Sequence, residues 1–505
     1  MLSALIWIPV LGAVMIGLWP RSLTAGLARW LALGTAGVTF LWTVVVLGQF
    51  NPDLPGMQMA EFLPWFQAID LNYHLGVDGL SLPLLILNSF LLGIAVFSSD
   101  PNIQRPRLYY ILVLLLGSGV AGAFLAQNLL LFFLFYEVEL IPLYLLIAVW
   151  GGPRREYAAT KFLLYTAVSG VLILAAFLGM AWLTGSPTFT YETLRTQSSL
   201  PLAAQTILLV LLLVAFGIKT PLVPLHTWLP DAHVEASTPV SVLLAGVLLK
   251  LGTYGLLRFG LGLFPEAWAK LGPLLAVWAA VSVLYGSFMA IGQKDMKKLV
   301  AYSSVGHMGY VLLAAAAATP LSLVGAMAQM VSHGLISGLL FLLVGIVYKK
   351  AGTRDLDILQ GLLAPERGMP FIGGMMILGV MASAGIPGMA GFVAEFLIFR
   401  SSFPIFPVQT LLCIVGSGLT AVYFLLLINR AFFGRLPQRL RNLPRVVWAE
   451  RAPALVIVAL VILFGVQPNW MVHWSVATTQ NLIATSPALK KAIPVALDTA
   501  LRTPR

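Results

Sequence analysis

Four charged side chains interrupt long apolar runs of the sequence: Glu137, Lys219, Lys250 and Glu395. Each costs about 2.5–3.5 kcal/mol at the centre of a bilayer on insertion scales, so together they oppose insertion by roughly 10–14 kcal/mol. Buried ion pairs that only tie helices together seldom outperform well-packed apolar contacts, so a structural role leaves that cost unexplained. A path for a proton or an ion explains it. Burial favours the neutral forms of lysine and carboxylate, and an opposite charge nearby favours the charged forms. A Glu–Lys pair whose separation can change is therefore a proton switch. Lys250 lies deep inside the apolar run 237–259, out of its stem's reach of either end.

Glu139 stands two residues beyond Glu137, which on an ideal helix turns it about 200° away. The two cannot form a carboxylate dyad; Glu137 is expected to face the interior and Glu139 a different neighbour, in an inter-helix or a functional role. His307 and His333 fall near the middle of the apolar runs 298–318 and 321–348. Histidine titrates near neutral pH, so either is a proton relay or a hydrogen-bonded core residue. No second pair of intramembrane histidines completes a haem site. His226, Asp231, His233 and Glu235 have metal-ligand chemistry but follow a proline-broken segment, and no metal site is expected there; His74 and His473 read as interfacial.

These residues are carried by a chain of 505 residues, 59% hydrophobic and only 10% charged, with a mean hydropathy of +0.92. A soluble domain carries about 25% charged residues, so the chain is a membrane protein. Runs of about 20 apolar residues are long enough to span. They fall at 2–20, 28–48, 77–97, 108–125, 127–150, 160–183, 205–226, 237–259, 273–292, 298–318, 321–348, 371–402, 407–433 and 453–475. Pro221, Pro224 and Pro230 remove backbone donors beside Lys219, and Gly385-Ile-Pro-Gly-Met-Ala-Gly391 interrupts the run that holds Glu395. Irregular backbone at such depth is tolerated only inside protein or along a wet cavity. Two interrupted spans at matching places indicate inverted repeats with a polar path between them. The expected fold is all-α and polytopic, with about 14 transmembrane helices in two inverted five-helix repeats (helices 4–8 and 9–13) and discontinuous helices 7 and 12. The corresponding regions are 1–107 (three helices), 108–259 (first repeat), 260–433 (second repeat) and 434–505 (helix 14 and a tail).

Loops after odd-numbered spans hold Arg21, Arg29, Arg105, Arg107, Arg154, Arg155, Lys294, Lys297, Lys298, Lys349, Lys350, Arg354, Arg367, Arg430, Arg435, Arg439, Arg441, Arg445 and Arg451; the other loops hold Arg195 and Lys270. By the positive-inside rule the basic side is cytoplasmic, or stromal in a plastid-like membrane, with both termini opposite. The net charge of +11 follows from these loops and calls for no nucleic acid. Lys161, Arg258 and Arg400 sit near span ends and are expected to snorkel. The single Cys413 excludes an internal disulfide and a Cys-ligated iron–sulfur or zinc site. No cofactor site is expected in this chain.

The motifs Gly-Val-Asp-Gly-Leu-Ser (76–81), Tyr-Glu-Val-Glu-Leu-Ile-Pro (136–142), Pro-Leu-His-Thr-Trp-Leu-Pro-Asp-Ala-His (224–233), Leu-Leu-Ala-Gly-Val-Leu-Leu-Lys-Leu-Gly (243–252) and Gly-Phe-Val-Ala-Glu-Phe (391–396) resemble the antiporter-like, proton-pumping membrane-arm subunits of complex I and the type-1 NDH complexes, of the chain 4 (M-type) class. The resemblance spans about 70–433. It implies that Glu137 pairs with Lys219 as a gating pair, that Lys250 is the central relay, that Glu395 is the exit-side group, and that His307 and His333 bridge two half-channels. Tyr136 stands where relatives often place Trp. The stretches 150–162 and 365–370 are similar to cyanobacterial and chloroplast forms, and 429–436 to the CO2-uptake variants. These similarities imply a thylakoid membrane and a complex that passes electrons from ferredoxin or NAD(P)H to plastoquinone, with iron–sulfur clusters in other subunits. The implied partners are neighbouring antiporter-like chains, other membrane-arm subunits, lipids and a CO2-hydrating subunit. Two other readings share these charges: a subunit of a multi-subunit Na+/H+ antiporter, and a structural anchor that moves no protons.

Overall fold

The computed structural model describes residues 1–20, 23–185, 188–197, 200–365 and 368–492. Arg21, Glu366, Arg367 and the tail beyond 492, which carry part of the basic tally and of the 365–370 motif, lie outside the described residues. Among the described residues, eleven helices are long and apolar enough to cross a membrane, and Ser3–Leu18, Leu82–Ser98 and Pro370–Ser383 are shorter apolar helices. The chain is a multi-pass helical membrane protein, as its composition requires.

The first region consists of α1 (Ser3–Leu18), α2 (Ala25–Gln49) and α3 (Leu82–Ser98). Between α2 and α3 the expected loop holds an antiparallel hairpin, β1 (Gln58–Phe66) and β2 (Leu71–Val77), an all-β element that apolar-run counting does not reveal. Its turn places Asp70 in the left-handed region (φ 51°), a conformation aspartate tolerates better than most residues. Asn128 donates to the Asp70 carbonyl (2.8 Å), which ties the hairpin to the next bundle.

That bundle begins with α4 (Pro106–Leu125), α5 (Leu129–Val138), α6 (Leu140–Trp150) and α7 (Arg155–Thr184). Proline opens α4, where its missing N–H costs nothing, and the Asn128 side chain caps α5 through Leu130 and Leu131. α5 and α6 form one span broken at Glu139, a third interruption beyond the two expected. Pro142 is its local cause, because it has no N–H for the Val138 carbonyl four residues back.

The short α8 (Tyr191–Gln197), α9 (Leu202–Lys219) and α10 (Trp228–Glu235) lead to α11 (Thr238–Leu243) and α12 (Leu249–Gly255). π-helical turns at Leu244–Leu248 and Leu256–Leu261 continue this span. The run 205–226 thus ends early, at Lys219, where the prolines halt it. The second half holds α13 (Pro265–Ile291), α14 (Met296–Ala317), α15 (Pro320–Ala351), α16 (Pro370–Ser383), α17 (Ala390–Ser402) and α18 (Pro407–Ala431). Run 371–402 is split into α16 and α17, with Gly385 and Gly388 at φ +69° and +89°, a region that favours glycine. The last elements are α19 (Trp448–Val466), α20 (Asn469–Ala484) and α21 (Pro487–Ala492).

Enclosure separates the helices by role. α11–α12 with their π turns, α14 and α15 are buried almost throughout, whereas fewer than half of the residues in the apolar stretches of α2, α7, α18 and α19 are buried. The enclosed helices carry Lys250, His307 and His333. Small residues bring α13 and α14 together: a Cβ on Gly286 would lie 2.6 Å from the Gly306 nitrogen, the close backbone approach expected of packed membrane helices.

Candidate functional site

The broken end of α9 is built around freed backbone groups. Trp228 Nε1 donates to the Ile218 carbonyl (2.8 Å), the Leu222 N–H to the Gly217 carbonyl (2.7 Å), and the Val223 N–H to Ser282 Oγ (3.2 Å). The Leu222 N–H thus replaces the donor that Pro221 denies to Gly217, and the side chains of Trp228 and Ser282 satisfy the groups beside it, which is how irregular backbone survives at membrane depth.

Lys219, the last residue of α9, is completely buried. Its ammonium pairs with Glu139, also completely buried, and lies 4.9 Å from the Tyr136 ring centroid and 5.8 Å from that of Phe162. This differs from the expected Glu137–Lys219 pair. The two carboxylates face different sides, as their spacing requires, but it is Glu139 that turns inward. Glu137 is only partly enclosed. It borders the outward-facing Leu134, Val138 and Ile141, and its buried Oε1 has no hydrogen-bond partner. Glycine at 170 makes room for it: a Cβ there would stand 1.9 Å from Oε1.

The second cluster is continuous. Lys250 Nζ donates to the Ala245 carbonyl (2.6 Å) in the first π-helical turn and is hydrogen-bonded to His333 Nδ1 on α15 (2.7 Å). The His333 and His307 ring centroids are 5.6 Å apart. His307 on α14 meets Ser383 Oγ through Nε2 (3.0 Å), and its Nδ1 lies 3.7 Å from Glu395 Oε1. Ser417 donates to Glu395 Oε2 (2.7 Å). A cavity with about 10 Å³ open to a water centre lies among His307, Gln329, Ser332, His333 and Glu395, room for roughly one water. Lys250, His333, His307 and Glu395 are each under 5% exposed, so the chain of titratable groups is shielded from lipid. His333 and His307 thus lie between Lys250 and Glu395. Gly252 abuts the break after Lys219, since its Cβ would sit 2.6 Å from the Thr220 nitrogen. No hydrogen bond joins Lys219 to Lys250 among the described residues.

On the basic side, the metal-like residues disperse. Asp231 takes Lys161 (2.8 Å), and Glu235 accepts from the Arg154 backbone (2.9 Å). His233 stacks on Phe341 (4.3 Å between centroids) with neither ring nitrogen partnered. Lys297, expected in a loop, is 4% exposed and donates to the Ala236 carbonyl.

Two functional-looking features escaped sequence reasoning. One is the pairing of Glu139 with Lys219: Glu139 was expected in an inter-helix or a functional role, but not as the partner of this lysine. The other is Arg258, expected to snorkel but 4% exposed and bound through Nη2 to both Asp78 oxygens (2.7 and 2.6 Å). Arg258 stands two helical turns beyond Lys250, and Asp78 belongs to the 76–81 motif; their pairing crosses 180 residues of sequence.

Comparison with known proteins places these features in context. The profile of the family described as "NADH:quinone oxidoreductase/Mrp antiporter, TM" matches residues 126–420. NAD(P)H-quinone oxidoreductase chain 4 1 of Synechococcus sp. (strain JA-3-3Ab) is 42% identical, over 98% of this chain and 94% of the relative. NAD(P)H-quinone oxidoreductase chain 4 of Prochlorococcus marinus (strain NATL1A) is 39% identical, over 95% of this chain and 91% of the relative. Among solved structures, a chain of respiratory complex I from Thermus thermophilus with bound NADH superposes with a TM-score of 0.87 at 29% identity, covering 96% of this chain and 99% of that one. A chain of the Mrp complex from Dietzia sp. DQ12-45-1b shares the fold, with a TM-score of 0.85 at 22% identity, over 98% and 99% of the two chains.

Proposed function

Because the chain belongs to the NADH:quinone oxidoreductase/Mrp antiporter membrane family, we propose that it is a proton-translocating membrane-arm subunit of a complex I-type NAD(P)H–quinone oxidoreductase. The observation that carries this reading is the enclosed series Lys250–His333–His307–Glu395. Each neighbour is in contact or within the reach of one side-chain rotation or one water, and each can take up and release a proton. An enclosed series of titratable groups supports proton transfer over a passive anchor.

In this mechanism the subunit moves no electrons. Redox chemistry, with its iron–sulfur clusters and plastoquinone, belongs to other subunits, and its energy arrives as a change of charge or position in a neighbouring antiporter-like chain. Drawing Lys219 away from its carboxylate frees a proton, because an ammonium without a counter-charge is costly in a low-dielectric interior. Water entering the gap between Lys219 and Lys250 then carries the proton to Lys250. His333 and His307 pass it on, and Glu395 releases it beside the Gly385–Met389 break. Moving one charge against 100 mV takes about 2.3 kcal/mol. A hundredfold change in the lysine's affinity for its proton supplies about 2.7 kcal/mol, so one pair that opens and closes is sufficient.

The similarity to cyanobacterial relatives supports a photosynthetic membrane, with the basic loops cytoplasmic or stromal and the termini luminal. The CO2-uptake form would add a CO2-hydrating subunit as partner. The likeness to an Mrp complex chain favours a second reading, a subunit of a multi-subunit cation antiporter. A pull-down of the tagged chain in mild detergent, followed by mass spectrometry and quinone reductase assay, separates them. Redox subunits with quinone reductase activity are expected; small antiporter partners with neither would overturn the proposal.

A further inference from the structure

Two carboxylates and one lysine meet where helix α5–α6 is interrupted, and the two carboxylates have different surroundings. Glu139 is completely buried and holds Lys219. Glu137, two residues earlier, borders the outward stripe of Leu134, Val138 and Ile141, and each carboxylate keeps one buried oxygen without a partner. The backbone between them is the weak point of the span, because Pro142 leaves no intrahelical donor for the Val138 carbonyl. A buried ammonium drawn from its only carboxylate would stand uncompensated, which is the costly way to run a switch. A second carboxylate at the hinge confines that cost to the passage, since the ammonium has a counter-charge at either end of it.

We propose that Lys219 is a two-position switch whose resting counter-ion is Glu139 and whose alternative counter-ion is Glu137. The exchange moves the ammonium between two carboxylates across the α5–α6 hinge, and the lysine gives up its proton only while it stands between them. Tyr136 supports both positions. Its ring faces the ammonium, and its hydroxyl is fixed by Ser169 (2.7 Å), which in turn donates to the Ala215 carbonyl of α9 (2.8 Å). A charge presented to the outer face by an adjacent subunit reaches Glu137 before Glu139, so the pull of Glu137 on the lysine is the adjustable one. Glu139 is thereby a further positioning residue of the proton path, without which the gate has only one stable position.

The proposal rests on the proton-translocating reading, and the test keeps the two apart. Lys219→Met, Glu139→Gln and Glu139→Asp are introduced into the intact complex, which is reconstituted in vesicles. Proton uptake per electron is read with a pH-sensitive dye. Under the proposal, Glu139→Gln loses the same share of the proton yield as Lys219→Met, and Glu139→Asp restores most of it. The structure of the Glu139→Gln complex then shows Lys219 bound to Glu137. If Lys219→Met itself leaves the yield unchanged, the proton-translocating reading fails, and this proposal with it. If Lys219→Met loses its share while Glu139→Gln keeps a full yield, the proposal alone is overturned. Should Glu139→Gln fail to assemble, the Glu139→Gln/Lys219→Met double variant decides. Recovery of assembly identifies Glu139 as the counter-ion of Lys219, and continued failure refutes it.

Discussion

Replacing Asp78 by asparagine tests whether the buried Arg258 pair is a structural pin rather than part of the proton path. Asp78 is 1% and Arg258 4% exposed. The carboxylate accepts from Arg258 Nη2 through both oxygens, at 2.7 and 2.6 Å, and its Oδ1 also caps the Leu80 and Ser81 N–H groups at 3.1 Å each. Asparagine can keep the two caps through its carbonyl oxygen. It presents an amide N–H2 to the guanidinium and leaves that cation without a counter-charge. Removing one partner of a buried pair costs about 3–5 kcal/mol. Asp78→Asn is therefore expected to lower the thermal stability of the detergent-solubilised complex sharply and to reduce assembled yield. Arg258 lies 5.3 Å from the ring centroids of both Tyr191 and Tyr254, a slot that methionine can fill. The Asp78→Asn/Arg258→Met double variant should accordingly regain most of the loss, since an apolar replacement of a buried pair is often near neutral. Because neither residue touches the series from Lys250 to Glu395, the proton yield per electron of the assembled fraction should match the parent. A single variant as stable as the parent, or a double variant no better than the single, would refute the reasoning.

Lys250→Met, which removes the central group, should abolish this subunit's share of proton uptake while quinone reduction continues; an undiminished yield in vesicles would argue against the relay. Gly391→Ala should lower both stability and proton yield, because its Cβ would lie 2.0 Å from the Ala382 carbonyl and would push α17, with Glu395, away from α16. Overpacking of this kind costs about 1–3 kcal/mol, which thermal unfolding can detect. Gly286→Ala should likewise destabilise by separating α13 from the helix of His307. Gly374→Ala on α16 meets nothing within 4 Å and should leave the melting temperature level or higher, so equal losses at both positions would contradict the packing argument.

Much of the architecture was legible in the sequence because it depends on local properties. An apolar run of about 20 residues spans a membrane whatever its neighbours, and Pro221, Pro224 and Gly385–Gly391 break helices through their own backbones. Lys250, His307, His333 and Glu395 stood out because polar groups inside such runs are expensive. The β-hairpin was hidden because its first strand, Gln58–Phe66, lacks the period-2 alternation that marks a strand and includes a proline. Tertiary structure alone decided which charges meet. The Lys219–Glu139 contact joins residues 80 positions apart on different helices, and Gly170 leaves space for the carboxylate of Glu137. The Arg258–Asp78 pair joins residues 180 positions apart, where no spacing rule reaches. Charges buried in a low-dielectric interior select partners by orientation and distance in space, and those are properties of packed helices that a one-dimensional pattern does not contain.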